Sequence, residues 1–215
     1  MIGRFKLEIL NNLCYRKGPG HLFNIAHLYL ILKILEDEQK PIGRYELSKR
    51  LNLGAGSTRT ILKRLTKAEL IKSEDNKGQI LTEKGSKTLE KISKYLIAIH
   101  DLNHVEDLSI SNINIGCQVR NVSEKFKIGI KLRDAAIKIG ALGITTMIYT
   151  GNNFKIPGLE DEDINVKNGH ADLYDEIFQK FNDLKKNDIL LICTALNKDL
   201  ARLGAISAVF SLLKK

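Results

Sequence analysis

Apolar residues recur at helical spacing through the first half of the chain and alternate as in strands through much of the second. Residues 4–15 place Phe5, Ile9, Leu10 and Leu13 on one side of a short helix, and Arg16-Lys17-Gly18-Pro19-Gly20 breaks it with a charged segment. Residues 21–36 are apolar on more than one face, which predicts a buried scaffold helix. Pro41 and Gly43 open a short helix over residues 44–51, and residues 52–56, with Gly54 and Gly56, form a turn. Ser57 is the expected N-cap of the next helix, whose Ile61, Leu62, Leu65 and Ala68 share one face. Strands follow at 71–74 and 79–82 around an Asp75-Asn76-Lys77-Gly78 turn, and Thr82 caps a further helix. Leu89, Ile92, Leu96 and Ile99 keep 3–4–3 spacing, so that helix is expected to run long, over 83–104, and to serve as a dimer contact.

Past a linker near residues 104–111 the pattern changes. Ile113, Ile115, Cys117 and Val119 alternate as a strand with one buried face, and Lys125 to Ile139 reads as a helix. Ile144 to Thr150 and Phe154 to Ile156 form an antiparallel pair about Gly151-Asn152-Asn153. An acidic loop holds residues 160–163. A helix over 170–184, a wholly apolar central strand over 188–194 and a closing helix over 199–213 complete the order β-α-β-β-α-β-α. The small residues Ala201, Gly204, Ala205 and Ala208 are spaced for close packing on that last helix. The predicted fold is therefore α+β: helices and a hairpin over 1–104, then a small α/β sandwich over 105–215.

The chemistry concentrates between residues 41 and 85. A short helix, a glycine turn and a second helix with a dry back and a cationic front suit the major groove of DNA, where cations neutralise phosphates and forked donors reach base edges. The candidate contacts are Arg44, Ser57, Thr58, Arg59, Thr60, Lys63, Arg64 and Lys67, with Lys77 on the hairpin. Ser57–Thr60, with Arg59, are expected to face bases, and Lys63, Arg64 and Lys67 phosphates or groove walls. The plain alternative is a solvated charged face. Helix, turn, helix and hairpin together make a winged helix-turn-helix.

Leu53, Gly54, Gly56, Ser57, Arg59 and Thr60 at the turn, with Leu81, Thr82 and Gly85 after the hairpin, carry a resemblance. Residues 20–100 resemble the winged-helix domains of archaeal predicted transcriptional regulators. More distantly they are similar to the DNA-binding domain of the bacterial central glycolytic gene regulator. The resemblance implies DNA binding through residues 57–67. The remainder resembles the uncharacterised C-terminal domain of those archaeal proteins, which implies no ligand.

Charge sharpens this picture. Of the net +9, residues 1–104 hold 19 Lys/Arg against 11 Asp/Glu, a net of +8, while residues 105–215 hold 15 against 14, a net of +1. The excess sits with the helix-turn-helix, as an electrostatic footprint for nucleic acid would. The three cysteines have no C-x-x-C pairing, so neither zinc nor a disulfide framework is expected. His100 and His104, at i and i+4, lack a third metal ligand. No phosphate loop and no G-x-S-x-G elbow occurs. No cofactor is expected, no stretch is apolar enough to span a bilayer, no leader pattern opens the sequence, and a cytoplasmic, non-enzymatic protein is the expectation. In the second domain Arg120, Arg133, Asp134, Thr145 and Arg202 are candidates for a small anionic metabolite. The alternative is an Arg–Asp salt bridge that pins a helix. The reading is a homodimeric, sequence-specific regulator that binds double-stranded DNA. An enzyme carrying a winged helix and a ligand-free dimer module stand as the other readings.

Overall fold

A computed structural model describes residues 8–14, 23–75, 77–105, 108–120, 122, 129–157 and 170–213. The basic segment 16–20 and the acidic run 160–163 lie outside them. The chain divides into two compact units, Met1–Ser93 and Lys94–Lys215.

The first unit comprises α1 (Glu8–Cys14), α2 (Ile25–Glu38), α3 (Arg44–Arg50), α4 (Ala55–Lys67), β1 (Ile71–Glu74), β2 (Gly78–Leu81) and α5 (Glu83–Ser93). Asn24 caps α2: its Oδ1 accepts the Ala26 N–H at 3.0 Å, and the His27 ring Nδ1 accepts the Asn24 N–H at 3.1 Å. Ile25, Ala26, Leu28, Ile31, Leu32 and Leu35 are all buried, so α2 is the scaffold its apolar pattern predicts. β1 and β2 pair antiparallel. Ile42 adds a one-residue bridge to Gln79, which brings its backbone against Gly78. A Cβ on Gly78 would stand 2.4 Å from the Ile42 carbonyl carbon, and Gly78 has φ of 133°. Both facts demand glycine there.

Two expectations are corrected at the turn. The helix begins at Ala55 with Gly54 as N-cap, so Ser57 lies inside the first turn and caps nothing. The left-handed residue is Asn52, at φ 47°, and not a glycine. Ser48 closes the turn from below, its hydroxyl donating to the Leu53 carbonyl at 2.5 Å.

The second unit comprises β3 (Leu96–Leu102), β4 (Asn114–Val119), α6 (Gly129–Ile137), β5 (Gly143–Tyr149), β6 (Phe154–Lys155), α7 (Ala171–Lys180), β7 (Ile189–Thr194) and α8 (Lys198–Leu213). The strands form one sheet in the order β3-β4-β7-β5-β6, and every neighbouring pair is antiparallel. β4 and β7 are buried at every residue, because helices cover both faces. Leu173, Ile177 and Phe181, on and just after α7, pack with Leu102, Met147, Leu190 and Ile192. On the other face α6 and α8 pack together, and α8 lies against β4 and β7. The predicted order holds with one strand added in front.

That strand is the largest correction. The long helix expected over 83–104 ends at Ser93, and residues 96–102 form edge strand β3. The boundary between the units accordingly falls at 93/94, ahead of the predicted 104/105. Leu96, Ile99 and Leu102 follow the spacing of a helix face but belong to a sheet, so the seam expected as a dimer contact is cut after Ile92, and the Leu89 and Ile92 left on α5 are buried.

Candidate nucleic-acid interface

Helix α4 is sharply two-sided. Thr58, Ile61, Leu62 and Leu65 are buried, while Ala55, Gly56, Arg59, Lys63, Thr66 and Lys67 are exposed. Positions 59, 63 and 67 follow i, i+4, i+8, so three cations stand in one row on the outer face. Among the described residues nothing hydrogen-bonds or ion-pairs with these three side chains. Lys77 at the hairpin tip and Lys72 on β1 are also exposed. Lys72 was not anticipated, although its place beside the hairpin turn was a usable signal.

Among the described residues nothing covers the N-terminus of α4. Gly54 and Gly56 have ordinary backbone conformations, and a Cβ added at either would meet nothing within 4 Å. The fold itself does not require glycine at these positions. Small residues here leave the first-turn N–H groups open to close approach by an anion.

Other predicted contacts turn inward. Thr58 is fully buried, and its hydroxyl donates to the Gly54 carbonyl at 3.2 Å. It cannot face bases. Thr60 is half-buried and donates to Gly56 at 2.9 Å, and Ser57 is half-buried. Arg64 reaches away from the row: it donates to the Leu13 carbonyl at 2.6 Å and stacks over the Phe23 ring at 5.3 Å. It fastens α1 to α4, so it is not placed as a phosphate contact. Arg44 lies at the start of α3, over the ring of the exposed Tyr45 at 5.0 Å.

The residues proposed as an anion site in the second unit are not brought together. Arg120, just past β4, gives its Nε and Nη2 to the buried Asp188 at 3.0 and 2.8 Å, and Nη1 to Asp183 at 2.9 Å. Its Nη2 also donates to the Asp183 carbonyl. Asp188 further accepts from Gln118 at 2.7 Å and from the Lys185 N–H at 3.0 Å. This is a clamp that joins the end of β4 to the loop before β7. Thr145 donates to the Leu108 carbonyl at 2.8 Å. Arg202 lies on α8, 3.9 Å from Asp101, which Lys198 holds at 2.7 Å. Arg133 and Asp134 are both exposed on α6, and among the described residues no salt bridge reaches either of them. The Arg–Asp pairs that form among the described residues are those of Arg120 with Asp183 and Asp188 and of Arg202 with Asp101.

Two polar groups escaped sequence reading. Glu176 on α7 is buried, and its carboxylate accepts the N–H groups of Asn103 and His104, at 2.9 and 3.0 Å, and the Lys180 ammonium at 2.7 Å. Burial opposes its ionisation, yet Lys180 and these N–H donors outweigh it and hold the carboxyl at about 2. His27 is buried in the first unit, and burial lowers its pKa to about 4 against the opposing bond from Asn24. His100 packs edge-on against Phe181 at 5.0 Å, and His104 faces Glu176 at 3.3 Å. Among the described residues no cluster of His, Cys, Asp and Glu could hold a metal ion, and no helix is long and apolar enough to cross a membrane.

The comparisons with known proteins follow the same division. Residues 28–87 match the family described as PH0730-like, N-terminal domain, and residues 110–212 match a domain of unknown function, DUF4443. No curated protein matches the chain. Among solved structures the chain is similar to the hypothetical protein PH0730 from Pyrococcus horikoshii OT3. Identity is 28% and the TM-score is 0.68, over 88% of this chain and 92% of that one. Most of this chain, both units included, is therefore similar to an archaeal protein.

Proposed function

We propose that this chain is a sequence-specific double-stranded DNA-binding protein that regulates transcription, with its first unit acting as a winged helix. One observation carries the reading: Arg59, Lys63 and Lys67 form an exposed row on α4, whose opposite face is buried against its own domain. A helix held from behind and cationic in front fits the major groove. Arg59 lies nearest the N-terminus, where base edges are read, and its fork can pair with the O6 and N7 of guanine. Lys63 and Lys67 supply phosphate charge, and the bare start at Gly54–Gly56 admits a phosphate to the helix N-terminus. Lys72 and Lys77 give the hairpin its own cations for the backbone.

The test is selection from random or genomic DNA fragments with the purified full chain, followed by binding titrations on the enriched site. A recurring motif is the expected result. Enrichment of no sequence above background would end the regulator reading.

A further inference from the structure

Helix α3 has three faces, and each meets something different. Leu47 and, just past the helix, Leu51 are buried. Glu46 and Arg50 share a second face, where Arg50 bridges Glu46 at 2.5 Å and Glu38, the last residue of α2, at 2.6 Å. Tyr45 and Lys49, also four residues apart, share the third. Tyr45 is 73% exposed, Lys49 is exposed, and among the described residues no acid pairs with Lys49. The Tyr45 hydroxyl has one partner among the described residues. Arg44 Nη2 donates to it at 3.2 Å, with the guanidinium over the ring at 5.0 Å. That bond occupies a lone pair of the phenol oxygen and leaves its O–H free to donate. A free O–H beside a guanidinium suits an anion and repels a cation.

Backbone contacts fix where this face lies. Ile42 bridges to Gln79, and a Cβ on Gly78 would stand 2.8 Å from the Gly43 nitrogen, so the start of α3 abuts the hairpin next to Lys77. At the other end the Asn52 N–H donates to the Lys49 carbonyl at 3.2 Å, which places Lys49 at the turn into α4. The helix thus runs from the hairpin cations to the open start of α4, and its third face carries a hydroxyl donor and a cation. We propose that Tyr45 and Lys49, with Arg44 orienting the phenol, form a second grip on the DNA backbone, separate from the row on α4. The proposal rests on the DNA-binding reading and names a further contact within it. The Tyr45 O–H donates to a phosphate oxygen, and Lys49, about 6 Å further along the axis, neutralises phosphate charge. Such contacts set the register of the protein on the duplex and carry no sequence information.

The experiment titrates the full chain against the selected duplex and an unrelated duplex of equal length, at several salt concentrations. Tyr45→Phe keeps the ring under Arg44 and removes only the O–H. It should weaken both duplexes alike by about tenfold, the worth of one hydrogen bond to a charged group. Lys49→Ala should flatten the plot of log affinity against log salt by about 0.9. Ethylation of individual phosphates should reveal at least one that matters to the native chain and not to Tyr45→Phe. Both positions are exposed, and urea unfolding checks that the variants keep native stability. A native chain that binds neither duplex would overturn this proposal together with the DNA reading. A native chain that binds, with Tyr45→Phe equally tight or the Lys49→Ala slope unchanged, would overturn this proposal alone. So would a shift in base preference by either variant.

Discussion

Arg59 and Arg120 show two opposite uses of the same side chain. Arg59 stands on the outer face of α4, and among the described residues nothing bonds it. Arg120 directs its donors to Asp188 and Asp183. The difference comes from pairing. Antiparallel register sets Val119 opposite Ile189, so the residue after β4 meets the buried Asp188 before β7. Among the described residues no acid is brought to Arg59, whose helix turns Thr58, Ile61 and Leu62 inward instead. A guanidinium spent inside the fold is a stability element, and one left in water is available to a partner. The same contrast separates Arg59 from Arg64 on a single helix.

The largest expected effect breaks the clamp. Arg120→Ala leaves the Asp188 carboxylate buried without its cation, which should cost about 3 kcal/mol of second-domain stability. Arg59→Ala should change stability by no more than about 0.5 kcal/mol. Urea unfolding of both variants checks the pair. An equal loss in both would dissolve the contrast.

Acid should separate the two domains in the same terms. His27 is held near 4, below its ordinary 6.5, so between those pH values the unfolded chain binds a proton that the folded domain refuses. First-domain stability should therefore fall as pH drops below 6.5 and level off near 4. At about 1.4 kcal/mol per pH unit the loss is on the order of 3 kcal/mol. Glu176 is depressed from 4.5 to about 2, so its contribution is whole above 4.5 and fades only as pH falls from there toward 2. Amide exchange resolved by domain should show the first unit loosening at higher pH than the second. His27→Gln should remove the first phase, and simultaneous loosening in both domains would contradict the assignment.

What was legible in the sequence was local. The faces of α2 and α4, the hairpin and the buried strand β7 all follow from period and punctuation. Thr58 was legible too: with Ile61, Leu62 and Leu65 it keeps i, i+3, i+4, i+7, a pattern obscured by treating Ser57 as the cap. Residues 96–102 were not. LIAIHDL is apolar at both parities and also continues the spacing of Leu89 and Ile92, so either period fits. The partner strand decides it. Gly116 on β4 has no side chain, and a Cβ there would stand 2.8 Å from Leu102 and 2.9 Å from Phe181. That gap lets β3 close onto the sheet, and nothing within residues 83–104 announces it. The roles of Arg120, Arg64 and Glu176 depend likewise on partners 51 to 73 residues away.

On DNA the contrast predicts loss of binding without loss of fold. Arg59→Ala should cost about 1–3 kcal/mol against the selected site and relax the preference at one base position. Arg64→Ala should do the reverse, lowering stability through α1 by about 1–2 kcal/mol and leaving base preference alone. A titration across single-base variants of the site distinguishes them. Uniform weakening by Arg59→Ala would move that residue to the phosphate class.

The smallest effect belongs to Lys67. It sits at the last turn of α4, eight residues beyond Arg59, so it stands over two turns along the axis from the base-reading end. A cation there meets phosphate, and each phosphate neutralised releases condensed counterions. Lys67→Ala should therefore weaken selected and unrelated sequences alike and flatten the plot of log affinity against log salt by about 0.9. Its stability should stay within about 0.5 kcal/mol of the native chain, because the side chain is exposed and unbonded among the described residues. Titrations of native and variant chains at several salt concentrations, on both kinds of DNA, give the slope directly. An unchanged slope would mean that α4 docks by its first turns alone and that the row from 59 to 67 is not the contact surface.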